Sequence, residues 1–287
     1  MLTALDVLEQ IHEWLEMDPD DVGIEGTHFS RKSVLNRMDR AYRTISNRPA
    51  IQRSHHLITT MKIDCGSVNG DLTMPLPANF ASLNAIYRID GNGRRIGTIP
   101  VKHVQHNYRY DNIVLSVAIR DGKLLLFRCG GERELEVEYY RVPGTLHYGT
   151  VNTATEFSLV YGHGTTVGKV ARDYRGDQLR IISGTGEGQV RRIGAFIPST
   201  RTFLLEEPWD DIPDTTSLYG IISFLPENFQ DMLLARTASE FAAIPERAAK
   251  CMTQYMEMLE DFGRLLTDPD AMTPREVIQT IPGPEWA

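Results

Sequence analysis

The sequence predicts an α+β protein: a helical bundle formed by N- and C-terminal helices, with antiparallel β segments and an inserted small all-β domain. Three observations predict it. Apolar residues recur at helical spacing over 3–17, 30–48 and 225–266, short alternating runs fill 56–140, and turn signals about 8–12 residues apart punctuate 155–224. The bounds that follow are 1–154 for the N-terminal helices and β segments, 155–224 for the inserted β-domain, 225–266 for the C-terminal helices, and 267–287 for an extended tail.

In chain order, Thr3 is placed to cap a helix running to about Met17, with Leu5, Leu8, Ile11, His12 and Leu15 on one face. The run Asp18-Pro19 ends it. A second helix starts at Ser30 or Ser33, repeats Val34, Leu35, Met38, Ala41, Tyr42 and Ile45, and stops at Asn47-Arg48-Pro49. Each helix has one apolar face that needs a partner.

Residues 56–63 alternate as a strand, and 66–71 turn. Residues 72–80 carry Pro75 and Pro77, which suit a sheet edge because proline donates no ladder hydrogen bond. Residues 85–89 and 95–99 flank the hairpin signal Asp90-Gly91-Asn92-Gly93, and Asp121-Gly122 joins two further strands. Glu134, Glu136 and Glu138 alternate with Leu135, Val137 and Tyr139, which puts the carboxylates on a wet face.

The insert is read from Gly162-His163-Gly164, Gly176-Asp177, 183–189, Pro198-Ser199 and 210–214, each a turn signal between short strands. Loop closure costs only about 0.6 kcal/mol per doubling of length, so the host is expected to fold around it. After it, Pro226 and Glu227 open a helix through Phe229, Met232 and Leu233. Pro245 starts another, whose stripe Ala248, Met252, Tyr255, Met256, Leu259 and Phe262 is expected to pack on the N-terminal helices. The tail lacks a period, yet Val277, Ile278, Ile281 and Trp286 are apolar residues that fit docking on another chain, with Trp286 as anchor.

The composition, 41% hydrophobic and 24% charged, is that of a globular protein. No apolar run approaches the roughly 18 residues of a membrane span, and the first residues lack the pattern of a signal peptide, so use without the secretory route is expected. Three distant cysteines, Cys65, Cys129 and Cys251, fit reduced thiols. A net charge of −8 argues against broad neutralisation of phosphates but is compatible with a channel through which DNA slides.

No catalytic, cofactor or metal site is read from the residues. The stretch Gly184-Thr185-Gly186-Glu187-Gly188-Gln189 is followed by a strand and not by the helix a phosphate cradle needs, so it reads as a tight turn. His55-His56, and His103 with His106 and Asp111, have spacings open to a metal only with a further ligand, and read as surface or hydrogen-bonding groups. Glu206, Glu207, Asp210, Asp211 and Asp214 could supply a glycosidase carboxylate pair but sit in a turn around Pro208-Trp209, where solvated acids are ordinary. Trp209, Asp210 and Asp211 are therefore kept as a contact or turn of the insert. A Gly-x-Ser-x-Gly elbow is absent.

Residues 35–48 (Leu-Asn-Arg-Met-Asp-Arg-Ala-Tyr-Arg-Thr-Ile-Ser-Asn-Arg), 74–83 (Met-Pro-Leu-Pro-Ala-Asn-Phe-Ala-Ser-Leu) and 139–143 (Tyr-Tyr-Arg-Val-Pro), with the return from 225 to 259, resemble the head-to-tail adaptor (connector) proteins of tailed bacteriophages. Residues 179–193, with Pro208-Trp209 and 213–219, are similar to a β-module of phage structural proteins. The resemblance implies a structural virion protein and no enzyme. It implies a homo-oligomeric ring, a dodecamer, between the portal protein and the tail or neck proteins, continuing the DNA channel without sequence-specific binding. Assembly in the host cytoplasm and residence at the virion's head–tail interface, away from any membrane, follow. In this picture the helices lie in the ring wall, the C-terminal tail reaches the portal or a neighbouring subunit, and the insert meets tail or fibre proteins. The alternatives are a tail or receptor-binding component whose insert recognises a host glycan or a fibre protein, and a wall hydrolase built on Glu207 and Asp210.

Overall fold

The computed structural model describes residues 2–18, 20, 22, 29–65, 72–99, 116–127, 134–164, 174–241 and 245–267. Among them are five α-helices and thirteen strands in three antiparallel sheets, one a closed six-stranded barrel. The molecule is mostly β. This corrects the expected helical bundle with an inserted all-β domain, and the reason is where the apolar helix faces go: they share one continuous core with the barrel.

Helix α1 (Ala4–Leu15) starts at a reciprocal cap, in which Asp6 N–H donates to Thr3 Oγ1 at 3.4 Å and Thr3 N–H donates to Asp6 Oδ2 at 2.6 Å. It buries Val7, Ile11 and Leu15 and stops at Glu16, whose φ of 53° is left-handed. Helix α2 (Arg31–Ser46) buries Val34, Leu35, Met38, Ala41, Tyr42 and Ile45, and α3 (Pro49–Gln52) adds one turn.

Strands β1 (Ile58–Asp64), β2 (Leu72–Pro75), β3 (Phe80–Ile89), β4 (Arg95–Thr98), β5 (Ser116–Arg120), β6 (Lys123–Phe127) and β7 (Glu134–Arg141) form two sheets, ordered β1-β7-β3-β4 and β2-β6-β5. Ile63, Ile86, Val117, Leu124, Leu126, Leu135 and Val137 make a second core between them. Strand β7 buries every second residue, Leu135, Val137, Tyr139 and Arg141, while Arg95 joins the outward Glu136 and Glu138. Strand β2, with Pro75, is an edge.

The barrel comprises β8 (Tyr148–Thr155), β9 (Ser158–Gly164), β10 (Gln178–Ser183), β11 (Val190–Ile197), β12 (Thr202–Leu205) and β13 (Leu218–Ile222). Their order is β10-β11-β12-β9-β8-β13, closing on β10, which leaves no unpaired edge. Register shifts at Ile181/Ser183 and Ile193/Ala195 bend the strands for closure. Leu159, Leu179, Ile181, Ile193, Phe203 and Tyr219 are fully buried.

Helix α4 (Asp231–Ala238) packs against α1, α2 and α5 (Pro245–Thr267). The helical layer is tied to the barrel at several points. Ser223 N–H donates to Leu2 carbonyl at 2.8 Å, and Phe224 N–H donates to Tyr42 Oη at 3.1 Å. At Gly220 a Cβ would fall 3.0 Å from Thr3 Cβ and 2.9 Å from Ile182 Cδ1, so the start of α1 rests on bare backbone of β13. The insert is thus no separable unit. Deleting 155–224, which a self-contained bundle would survive, removes the barrel residues that share the core of α1 and α2, Leu179, Ile181, Phe203 and Tyr219 among them.

Candidate functional site

The polar residues of greatest interest gather where the two β units meet, at the end of β7 and the start of β10. Arg141 and Asp177, with side chains 4% and 1% exposed, form an ion pair between Nη1 and Oδ1. The other carboxylate oxygen accepts Gly144 N–H at 2.8 Å. Only glycine fits there, because a Cβ on Gly144 would lie 2.3 Å from Tyr174 Cδ1. Two further bonds cross the same seam. Asn79 Nδ2 donates to Arg175 carbonyl at 2.9 Å, and Arg192 Nη2 donates to Thr59 Oγ1 at 3.2 Å; within the first unit, Asn79 Oδ1 accepts Tyr139 O–H at 3.1 Å. A buried charge is tolerated only when paired and hydrogen-bonded; here each partner neutralises the other, and Gly144 N–H adds a bond to the carboxylate, while the buried Arg141 Nε has no partner among the described residues.

Beside this latch lies a cavity of about 310 Å³ lined by His55, His56, Arg141, Gln178, Arg192 and Glu227, with 222–226 as its floor. The rings of His55 and His56 are 3.8 Å apart. Burial, and then the neighbouring His55, push the His56 imidazole down to about 4, so it is neutral at pH 7. Among the described residues, no three His, Cys, Asp or Glu side chains gather as a metal ion requires.

The barrel interior holds a second polar cluster. His147 Nε2 lies 3.1 Å from Tyr219 Oη, and Nδ1 lies 3.3 Å from Thr145 carbonyl and 3.4 Å from Tyr174 Oη. Tyr161 and Phe203 complete the ring of aromatics around it. Burial pushes the imidazole down to about 4, against a smaller opposing effect of the Thr145 carbonyl, and it pushes the Tyr219 phenol up. A neutral imidazole with its proton on Nδ1 satisfies the Thr145 carbonyl and accepts from Tyr219. Such a cluster serves shape; its groups are spent on one another.

Of the residues singled out in the sequence, Trp209, Asp210 and Asp211 come together in the β12–β13 connection. Trp209 is 4% exposed, its Nε1–H donates to Ser158 carbonyl at 3.4 Å, and the Arg191 guanidinium stands 5.6 Å from its ring. Arg191 also pairs with Asp210 at 2.8 Å. Gln189 Oε1 accepts Asp210 N–H at 2.8 Å, and its Nε2 donates to Asp211 carbonyl at 2.9 Å. The glycine-rich stretch is the β10–β11 turn that these bonds clamp. Gly184 has φ +87°, and a Cβ there would sit 2.6 Å from Thr216 carbonyl oxygen. Asp214 caps the neighbouring turn, and bonds from Thr216 and Thr185 hold its carboxyl below the usual range.

His103, His106, Asp111 and Cys129 lie outside the described residues, as do Val277, Ile278, Ile281 and Trp286 of the tail. Cys65 and Cys251 are buried, and Cys251 is a free thiol.

One surface feature was missed in the sequence reading although charge patterning displays it. Residues 1–30 hold eight Asp or Glu and no Lys or Arg, whereas 31–53 hold seven Lys or Arg and one Asp. On the fold, Glu9 and Glu13 are exposed on α1, and Lys32, Asn36 and Arg40 are exposed at four-residue intervals on α2. No helix of the described residues is long and apolar enough to cross a membrane. Neither protein-family models nor curated protein sequences match the chain.

Proposed function

We propose that this chain is a structural virion protein, a head-to-tail adaptor that assembles as a ring between portal and tail and continues the DNA channel. The observation that carries the reading is the Arg141–Asp177 latch. It ties the β1–β7 unit to the barrel, and the shared core ties the barrel to the helices. A part that must hold two large partners at a fixed angle needs rigidity between its lobes, and its function lies on surfaces. The sequence resemblance supplies the identity of those partners, and the barrel takes its place in the ring wall together with the helices. The glycan-recognising alternative has less support, because the insert's tryptophan is spent on the Ser158 carbonyl and offers no exposed ring for a sugar.

The test is electron microscopy of the purified chain, alone and with the portal protein encoded beside it. Rings stacked coaxially on the portal are expected. Particles that never decorate the portal at micromolar concentrations overturn the adaptor reading.

A further inference from the structure

The two charge blocks face solvent from neighbouring helices, yet none of the ion pairs among the described residues joins α1 to α2. Glu16 pairs with Arg247 of α5, and Arg40 reaches Glu240 while its side chain stays 69% exposed. Glu9 and Glu13 on α1 with Asp18 just beyond it, and Lys32 and Arg40 on α2 with Arg48 just beyond it at the start of α3, are exposed. Burial, and then the neighbouring Arg40, lower the affinity of Arg37 for its proton, with Glu240 opposing them. Such stripes repel copies of themselves and attract one another.

We infer that the acidic stripe of α1 docks on the basic stripe of α2 in a second copy of this chain. The occupant follows from complementarity: the chain itself supplies, within 53 residues, an acidic block without Lys or Arg and a strongly basic one. A contact between two different patches is heterologous, so it leaves one free patch of each kind and propagates until the rotation closes. The inference deepens the ring reading above and rests on it for closure. It names the surface through which neighbours meet and makes that contact sensitive to salt. Duplex DNA is the competing occupant of the basic stripe. It is disfavoured because the chain carries a net charge of −8 and provides the complementary partner itself.

The experiment is sedimentation velocity of the full chain with two charge-reversed variants, Lys32→Glu/Arg48→Glu and Glu9→Lys/Glu13→Lys. All four positions are exposed, and circular dichroism checks that both variants keep the fold. The unaltered chain is expected to form multimers at about 0.05 M salt and to weaken by about tenfold or more at about 0.5 M, where screening shortens to a few ångströms. Each variant is expected to be monomeric alone, because its two stripes then carry the same sign, and an equimolar mixture to assemble again, because every stripe meets its opposite on the other variant. The salt response of the unaltered chain decides the matter even where a variant fails to fold.

A chain that is monomeric at every salt concentration overturns the inference, as do variants that assemble like the unaltered protein. Loss of binding to a fluorescent DNA duplex in Lys32→Glu/Arg48→Glu, with self-association unchanged, also overturns it and assigns the stripe to nucleic acid. Self-association through these stripes without portal binding sinks the adaptor reading alone.

Discussion

Neutralising one member of the Arg141–Asp177 pair tests whether the latch fixes the two β units to each other. An exposed ion pair is worth at most about 1 kcal/mol, but these side chains are 4% and 1% exposed, so removing either partner strands a buried charge at a cost of about 3–5 kcal/mol. Asp177→Asn keeps the shape: its amide oxygen can still accept Gly144 N–H, while its NH2 group faces Arg141 and cannot accept from it, so the charge and the bond from Arg141 are lost together. Arg141→Met leaves the volume and strands the carboxylate instead. With both changes combined no charge remains buried, and the double variant is expected within about 2 kcal/mol of the parent, giving a coupling energy of at least about 4 kcal/mol. Urea unfolding followed by far-ultraviolet circular dichroism measures all four proteins. Single variants that each lose less than about 1 kcal/mol, or a double variant whose loss equals the sum of the two, refute the reasoning.

Phe203→Ala opens the middle of the aromatic cluster around His147 and should cost about 3–5 kcal/mol, read as a lower urea midpoint; a loss under about 1 kcal/mol means the barrel interior collapses to fill it. Because the fold holds His147 at about 4 against 6.5 in the open chain, the unfolded chain binds the proton more readily between those values. Stability is whole above about pH 6.5 and declines as the pH falls toward 4, by about 3 kcal/mol at 1.36 kcal/mol per unit. His147→Phe should flatten that slope, and an unchanged slope assigns it to other groups. Gly184→Ala places a Cβ against the Thr216 carbonyl at positive φ and is expected to cost at least about 1–3 kcal/mol, whereas Gly188→Ala, with open space around it, should cost less; equal losses contradict the geometry. Deleting 155–224 should yield aggregated chain in place of a soluble helical remnant, which gel filtration distinguishes.

Local features were legible where one residue or one period sufficed. Thr3 reads as a cap because its partner Asp6 is three residues away, and β7 reads as a half-buried strand because Leu135, Val137 and Tyr139 alternate with acids. What an apolar stripe does not say is what covers it. Val7, Ile11, Tyr42 and Ile45 demand burial, and a barrel meets that demand as well as another helix does. Strand β8 escaped the insert's bounds for a similar reason: its burial barely alternates, and its place depends on pairing with β13, more than sixty residues on. Arg141 and Asp177 each look like surface charges, and nothing short of the fold brings them together across 36 residues. Trp209 lies in the β12–β13 connection, and its burial comes from the β8–β9 hairpin around Ser158, which sequence proximity does not reveal. The charge blocks of the first 53 residues were fully visible and needed only counting.

The bonds from Ser223 to Leu2 and from Phe224 to Tyr42 also set a timetable for the nascent chain. Helices α1 and α2 are translated first, yet their partners in β13 and α4 follow almost 200 residues later, an interval of roughly 10–40 s at synthesis rates of about 5–20 residues per second. Throughout it the apolar faces of both helices stay uncovered, and the sandwich of β1–β7 can close before them. The chain therefore completes its oldest segment last, and during synthesis a chaperone that shields the first two helices has more to do than one that follows the growing end.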